Sequence, residues 1–208
     1  MGARRRQGER AGITAERVLD AAVSLADRDG VERLSMRRLA AEVGVEAMTI
    51  YHYVPSKQAL LDGIVERVVL EAVRVPPDAD TWQTTLRTYA YDLRASLLAH
   101  PSVIPLLATR PAVTVGTATV VEGILQSLVR AGLDAVDGLR LVHATTALVL
   151  GQLATQADGP RSSTDLAVDA EQFPLLSEAV AGGAVDPEAR FAFALDALIA
   201  GADPTSSM

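Results

Sequence analysis

Apolar residues recur at helical spacing along nearly the whole chain, and glycine, proline and small polar residues interrupt the runs. One run follows Thr14 and ends near Asp29, and the next follows Ser35 and ends at Gly44. Threonine and serine cap helix N-termini, and glycine adopts the positive φ at which helices commonly end. Because the spacing within these runs is that of amphipathic helices, the pattern predicts an all-α protein.

The rest of the 208-residue chain continues this pattern and gives no convincing strand or internal repeat. The later apolar stripes predict helices over residues 46–53, from 56 towards 75, from 81 to 99, and over 102–109, 114–131, 137–156, 173–181 and 187–201. Pro76 and Pro77 predict a domain boundary, and the polar residues 157–169 predict a loop.

The stretch SMRRLAAEVGVEAMTIYHYVPSK, residues 35–57, has the pattern of a helix-turn-helix. Two helices joined by a glycine turn can place the second helix in the major groove of DNA. Ile50 and Val54 are four residues apart and are predicted to pack inward. The side chains left for the outside are Ala47, Met48, Thr49, Tyr51 and His52.

The chemistry of this second helix suits DNA. Small or apolar side chains contact thymine methyl groups, and Thr49 can bond a base edge or a phosphate. Tyr51, Tyr53 and Lys57 carry donors for phosphate oxygens. The alternative for Tyr51 and Tyr53 is that they are core aromatics of a small three-helix domain.

The distribution of charge is compatible with DNA binding, although the net charge is −7. Residues 1–60 carry a balance of +2, and the remainder carries −9. DNA binding requires a local basic face rather than a basic protein. Cysteine is absent, and no apolar run reaches the length of a membrane span or a signal peptide. These features predict a cytoplasmic protein.

Residues 1–12 contain Arg4, Arg5, Arg6 and Arg10 among small and polar residues. With little apolar surface to bury, this segment is predicted to be a flexible basic arm that tracks phosphates or enters a minor groove. The alternative is a solvated tail without a partner.

The string TIYHYVPSKQALL, preceded by LSMRRLAAEVGV, resembles the DNA-binding domain of the TetR family of bacterial regulators over about residues 14–65. The resemblance implies that DNA contacts are made by Arg37, Thr49, Tyr51, Tyr53 and Lys57. It also implies that Ala47, Met48 and His52 select the operator. The expected division is a basic arm (1–12), a helix-turn-helix domain (13–58), a connecting helix (59–75) and a helical effector-binding and dimerisation domain (76–208).

The same resemblance implies a homodimer on a palindromic operator, because a two-fold dimer reads two half-sites. The segment FAFALDALIAG is similar to the closing helix of tetracycline-repressor-like proteins, which pairs with the long preceding helix in a dimer bundle. Ordinary core packing is the alternative for its apolar stripe. The predicted dimer residues are Leu139, Val142, Val149, Leu150, Leu153, Phe191, Leu195, Leu198 and Ile199.

A further segment bears on the effector. The segment LRTYAYDLRASLLAHPSVIPLLATRP resembles the corresponding part of tetracycline repressors. However, Leu106 stands where they have a magnesium-binding histidine, and Tyr89 stands at about the position of their drug-binding asparagine. An apolar or amphipathic small-molecule effector is therefore expected. The candidate contacts are Trp82, Tyr89, Leu93, Leu97, Leu106, Leu107, Arg110, His143 and Thr146.

Each candidate contact also has a simpler interpretation. The leucines fit a core, His143 fits a hydrogen-bonded buried histidine, and Arg110 fits a helix C-terminal cap. The chain has no GxSxG or phosphate-loop motif, and its three histidines lack zinc-site spacing, so we expect no enzyme, metal or cofactor. The chain is predicted to be a ligand-released repressor. The alternatives are an activator of the same architecture and a helical ligand-binding or scaffold protein whose helix-turn-helix does not function.

Overall fold

The computed structural model describes residues 13–73, 81–110, 114–156 and 169–202. Throughout these ranges the regular elements are helices, which confirms the predicted all-α fold. The α-helices are α1 (Ala15–Asp29), α2 (Met36–Val43), α3 (Ala47–Ile50), α4 (Lys57–Ala72), α5 (Trp82–Ala99), α6 (Ile104–Thr109), α7 (Val115–Arg130), α8 (Ala135–Gln156), α9 (Pro174–Ala181) and α10 (Pro187–Gly201).

Three predicted features lie wholly or largely outside the described residues: the arm over 1–12, the boundary at Pro76 and Pro77, and the loop over 157–169, of which only residue 169 is described. None of the described helices is long and apolar enough to cross a membrane.

The chain divides into two compact units. The first contains residues 1–71 and 100–114, and the second contains 72–99 and 115–208. The predicted division instead placed residues 76–208 in one domain.

In the first unit, both carboxylate oxygens of Asp27 on α1 hold the segment that begins at His100. Asp27 Oδ2 lies 2.7 Å from His100 Nδ1, and Asp27 Oδ1 accepts a hydrogen bond of 2.9 Å from Ser102.

Local side-chain caps explain where the first two helices begin. Thr14 Oγ1 accepts a hydrogen bond from the backbone N–H of Arg17, and Ser35 Oγ accepts one from the N–H of Arg38. Gly44 ends α2 at a φ of 78°, in the left-handed region that glycine adopts without steric cost. These caps lie at the positions that the sequence predicts.

The second unit is organised around α8, on which α5, α7 and α10 all pack. The helix begins at Ala135, two residues before the predicted start, because Asp134 caps it. Asp134 Oδ1 accepts hydrogen bonds from the N–H groups of Asp137 (3.1 Å) and Val136 (2.7 Å). These hydrogen bonds, that from Asp137 foremost, lower the pKa of Asp134.

Candidate DNA-reading surface, effector residues and dimer face

The second helix of the helix-turn-helix, α3, is shorter than predicted, spanning Ala47–Ile50 instead of residues 46–53. Beyond it the backbone continues as a tighter turn, in which the N–H of Tyr53 donates to the carbonyl of Ile50 at 2.9 Å. Pro55 disfavours a helical conformation at Val54, so a short turn rather than another helical turn precedes it.

The side chains of this region separate into an inward and an outward set. Ile50 and Val54 are buried, as predicted, with exposed fractions of 0% and 5%. Met48 is 72% exposed, and Tyr51 and Tyr53 are 44% and 37% exposed. These values exclude the alternative that the two tyrosines are core aromatics. His52 and Lys57 are exposed as well, while Ala47 and Thr49 are half-buried.

The arginines near α2 differ in their partners. Arg28 binds Glu42 through two hydrogen bonds, the shorter of 2.9 Å, and Arg38 pairs with Asp29 at 2.5 Å. The hydrogen bond from Arg28 lowers the pKa of Glu42. Arg37 is exposed and is in no ion pair with any residue that the structure describes. Of these three guanidinium groups, that of Arg37 is the one available to a phosphate.

Glu46 is a residue that the sequence reasoning missed. It is exposed at the N-cap position of α3, and its side chain makes no capping hydrogen bond to that helix. A carboxylate at this position can accept a hydrogen bond from the N4 amino group of cytosine. Its position in the sequence, immediately before the outward residues of α3, could have identified it.

Two family models match most of the chain. Residues 18–64 match bacterial regulatory proteins of the tetR family, and residues 75–205 match the tetracyclin repressor-like C-terminal domain. The second match alone covers more than half of the sequence.

The chain belongs to the TetR family.

Individual relatives agree with this assignment. The class D tetracycline repressor protein of Escherichia coli is 32% identical over 91% of this chain and 88% of its own length. The structure of ActR from Streptomyces coelicolor with (S)-DNPA has a TM-score of 0.76 and 26% identity, and the match covers 92% of this chain and 98% of that one. A single-residue variant of TetR from Acinetobacter baumannii AYE, in complex with minocycline, has a TM-score of 0.72 and 25% identity, and the match covers 95% and 100%. This TetR family protein is therefore a DNA-binding transcriptional regulator.

Most of the candidate effector residues in the second unit lie in its interior. Trp82, Tyr89, Leu93 and Leu97 are buried along one face of α5. The hydroxyl groups of Tyr89 and Thr146 are 2.6 Å apart. Since the hydroxyl of Thr146 donates to the carbonyl of Val142, that of Tyr89 is the donor to Thr146. Burial raises the pKa of Tyr89.

The other candidate effector residues have different surroundings. Leu106, Leu107 and Arg110 belong to the first unit, where Leu106 is buried and Leu107 half-buried. There Arg110 is the C-cap residue of α6, and its guanidinium forms an ion pair of 2.9 Å with Asp62 of α4. His143 was expected in the interior, either as an effector contact or as a buried histidine. Its side chain is exposed, so the prediction of an inward position is wrong.

The predicted dimer residues are also corrected. Six of the nine are buried within the single chain and are not available on its surface: Val142, Val149, Leu153, Phe191, Leu195 and Ile199. Leu139 is exposed, and Leu150 and Leu198 are half-buried. The helical period identified an apolar stripe, but that stripe faces the core of its own unit.

Two exposed and mostly apolar strips lie on the same two helices, on the sides away from that core. The α8 strip consists of Val136, Leu139, Arg140, His143, Ala144, Ala147, Gly151 and Ala154. The α10 strip consists of Ala189, Phe193, Ala197 and Ala200. Phe193 is 77% exposed, and α8 and α10 pack on each other.

Proposed function

We propose that this TetR family protein is a cytoplasmic repressor that binds a palindromic operator as a homodimer and releases it when an apolar or amphipathic small molecule binds. The observation that carries the proposal is the division of residues 47–57 into an anchored inner side and an exposed outer side. Ile50 and Val54 hold the segment on the first unit, while Met48, Tyr51 and His52 remain available to a DNA groove.

The outward residues supply shape and phosphate contacts more than base-edge hydrogen bonds. Ala47 and Met48 have no side-chain donor, so they discriminate mainly through thymine methyl groups. Arg37, Tyr51, Tyr53 and Lys57 carry the donors that phosphate oxygens accept. Affinity should therefore depend strongly on salt, because each neutralised phosphate releases counterions.

The scarcity of buried charge in the second unit supports an apolar or amphipathic effector. Within the described residues, the fully buried polar residues of the second unit are Thr85, Thr117 and Thr145, while Tyr89 adds a phenolic hydroxyl and Gln152 a buried amide oxygen. Burying an unpaired charge among such groups would cost much more than burying a neutral ligand. Two of the solved relatives are complexes with organic ligands, (S)-DNPA and minocycline. For this chain Leu106 offers no imidazole, so minocycline with Mg²⁺ should leave an operator complex intact.

Dimerisation is assigned to the α8 and α10 strips in place of the buried stripe. Phe193 is the largest exposed side chain of the α10 strip, and aromatic residues are enriched at protein interfaces. A two-fold axis would place each strip against a second copy and would give two reading units for two half-sites.

The test is operator binding by the ligand-free protein, measured by gel shift against DNA upstream of its own gene at several salt concentrations. Arg37→Ala should weaken binding and lower the magnitude of the slope of log K against log salt by about two, roughly one for each protomer. Arg38→Ala is the control, since that guanidinium is held by Asp29 and should change the slope little.

Two outcomes would count against the proposal. Absence of any shift at low salt would indicate that the helix-turn-helix does not function in DNA binding. An unchanged salt slope for Arg37→Ala would remove this residue from the phosphate contacts.

A further inference from the structure

The α8 strip contains a single histidine. His143 is exposed near the middle of the strip, and its neighbours one helical turn away are Leu139, Ala147 and Arg140. Histidine is the side chain that ordinarily gains or loses a proton between about pH 5 and 8.

Three ion pairs within the chain involve charged groups around this strip. Arg140, one turn before His143, lies 2.7 Å from Asp137. On α10, Asp196 pairs with Arg87, and Glu188 pairs with Arg94 at 2.8 Å. No described residue forms an ion pair or hydrogen bond with His143.

The three helices that pack on α8 leave the His143 side uncovered. The opposite side of α8 carries Thr145 and Val149, both fully buried, and a Cβ added at Gly138 on that side would lie 3.1 Å from Leu125 of α7. Four further charged residues lie on these helices outside those pairs. They are Asp92 on α5, Glu122 and Arg130 on α7, and Arg190 on α10. Since none of these described groups pairs with His143, a carboxylate to neutralise an imidazolium would have to come from elsewhere.

The occupant that fits this side is a second copy of the chain. The strip is poor in charge and contains three alanines and Gly151. A Cβ added at Gly151 would meet no atom within 4 Å. It is continuous with the α10 strip, since α8 and α10 pack on each other. Small residues permit close approach of two helices, and an isologous interface uses the same surface of both copies.

We propose that dimerisation of this protein is pH-sensitive and that His143, covered by the partner in the dimer, is the residue responsible. This inference rests on the homodimer that forms part of the proposed function. A neutral imidazole packs among alanines at little cost, whereas an imidazolium removed from water without a carboxylate is strongly unfavourable. Acid should therefore favour the monomer, and operator binding should weaken with it.

The experiment measures the dimer dissociation constant of the full chain by sedimentation equilibrium at about pH 8 and about pH 5.5. The wild-type constant should rise about tenfold or more on acidification, because a protonation equilibrium that differs by one pKa unit between monomer and dimer changes the constant about tenfold. His143→Gln and His143→Leu should both dimerise at the higher pH and lose most of this rise. His100→Gln is the control, since His100 belongs to the first unit, and should keep the rise.

The outcomes separate this inference from the proposed function. A dimer whose dissociation constant does not change with pH would overturn the inference and leave the repressor proposal intact. A pH response that persists in both His143 variants would also overturn it. A chain that is monomeric at both pH values would overturn the dimer itself and this inference with it.

Discussion

Ile50 and Met48 lie two residues apart in α3, and the structure predicts that their replacement by alanine has opposite consequences. Ile50 is fully buried and Met48 is 72% exposed. Ile50→Ala removes three buried carbon atoms, each worth about 0.8 kcal/mol of transfer free energy, and leaves a cavity, so the expected loss of unfolding free energy is about 3 kcal/mol. Met48→Ala should change the unfolding free energy by no more than about 0.5 kcal/mol.

Operator affinity, unlike stability, should fall when Met48 is replaced by alanine. If Met48 contacts a thymine methyl group, its loss should cost about 1 kcal/mol in each half-site, which is a roughly thirty-fold loss of affinity for a dimer. Urea unfolding followed by circular dichroism measures the first quantity, and fluorescence polarisation with labelled operator measures the second. The assignment of inward and outward sides would be refuted by an Ile50→Ala variant of unchanged stability. It would equally be refuted by a Met48→Ala variant that loses stability and keeps its affinity.

Three further substitutions test single features of the fold. Gly44→Ala should lower the unfolding free energy by about 1 kcal/mol in urea denaturation, because φ is 78° while an added Cβ would meet no atom within 4 Å; Gly44→Asn should lose less. Tyr89→Phe should cost about 1 kcal/mol by removing the hydrogen bond to Thr146, whereas Tyr91→Phe, at a side chain 37% exposed, should be nearly neutral. Because the folded-state pKa of Asp134 is lowered, its contribution is complete above the unfolded-state pKa and is lost as the pH falls through the folded value. Thermal unfolding at neutral and acidic pH should show that Asp134→Asn keeps the cap of α8 without this pH dependence, while Asp134→Ala loses both.

Features fixed by near neighbours in the sequence could be predicted well. Thr14, Ser35 and Gly44 act within one helical turn, so their side-chain and backbone conformations follow from residue type. Asp134 is an N-cap of the same kind, but the apolar stripe of α8 starts later and obscured it. The end of α3 depends on how a tight turn accommodates Pro55, which helical periodicity does not report.

Features that depend on distant residues could not be predicted. Periodicity identifies an apolar stripe on α8 and α10 but does not indicate whether the same chain or a second copy covers it. Leu195 is therefore buried in its own unit, while Phe193, two residues away, is exposed. Similarly, helical spacing does not show that the guanidinium of Arg38 is held by Asp29 at the end of α1, while that of Arg37 is not. Likewise, the packing of α5, α7 and α10 on α8 determines that His143 lies on an exposed side.

The central claim is that two copies of this chain, joined through the α8 and α10 strips, read one palindromic operator. Its most direct test is the mass of the protein–operator complex in solution, compared between wild type and Phe193→Glu, a substitution at an exposed site that should leave the fold intact. The wild type should bind as two chains per duplex, and Phe193→Glu should be a folded monomer with little operator affinity. A folded Phe193→Glu protein that still binds as two chains with unchanged affinity would contradict the claim.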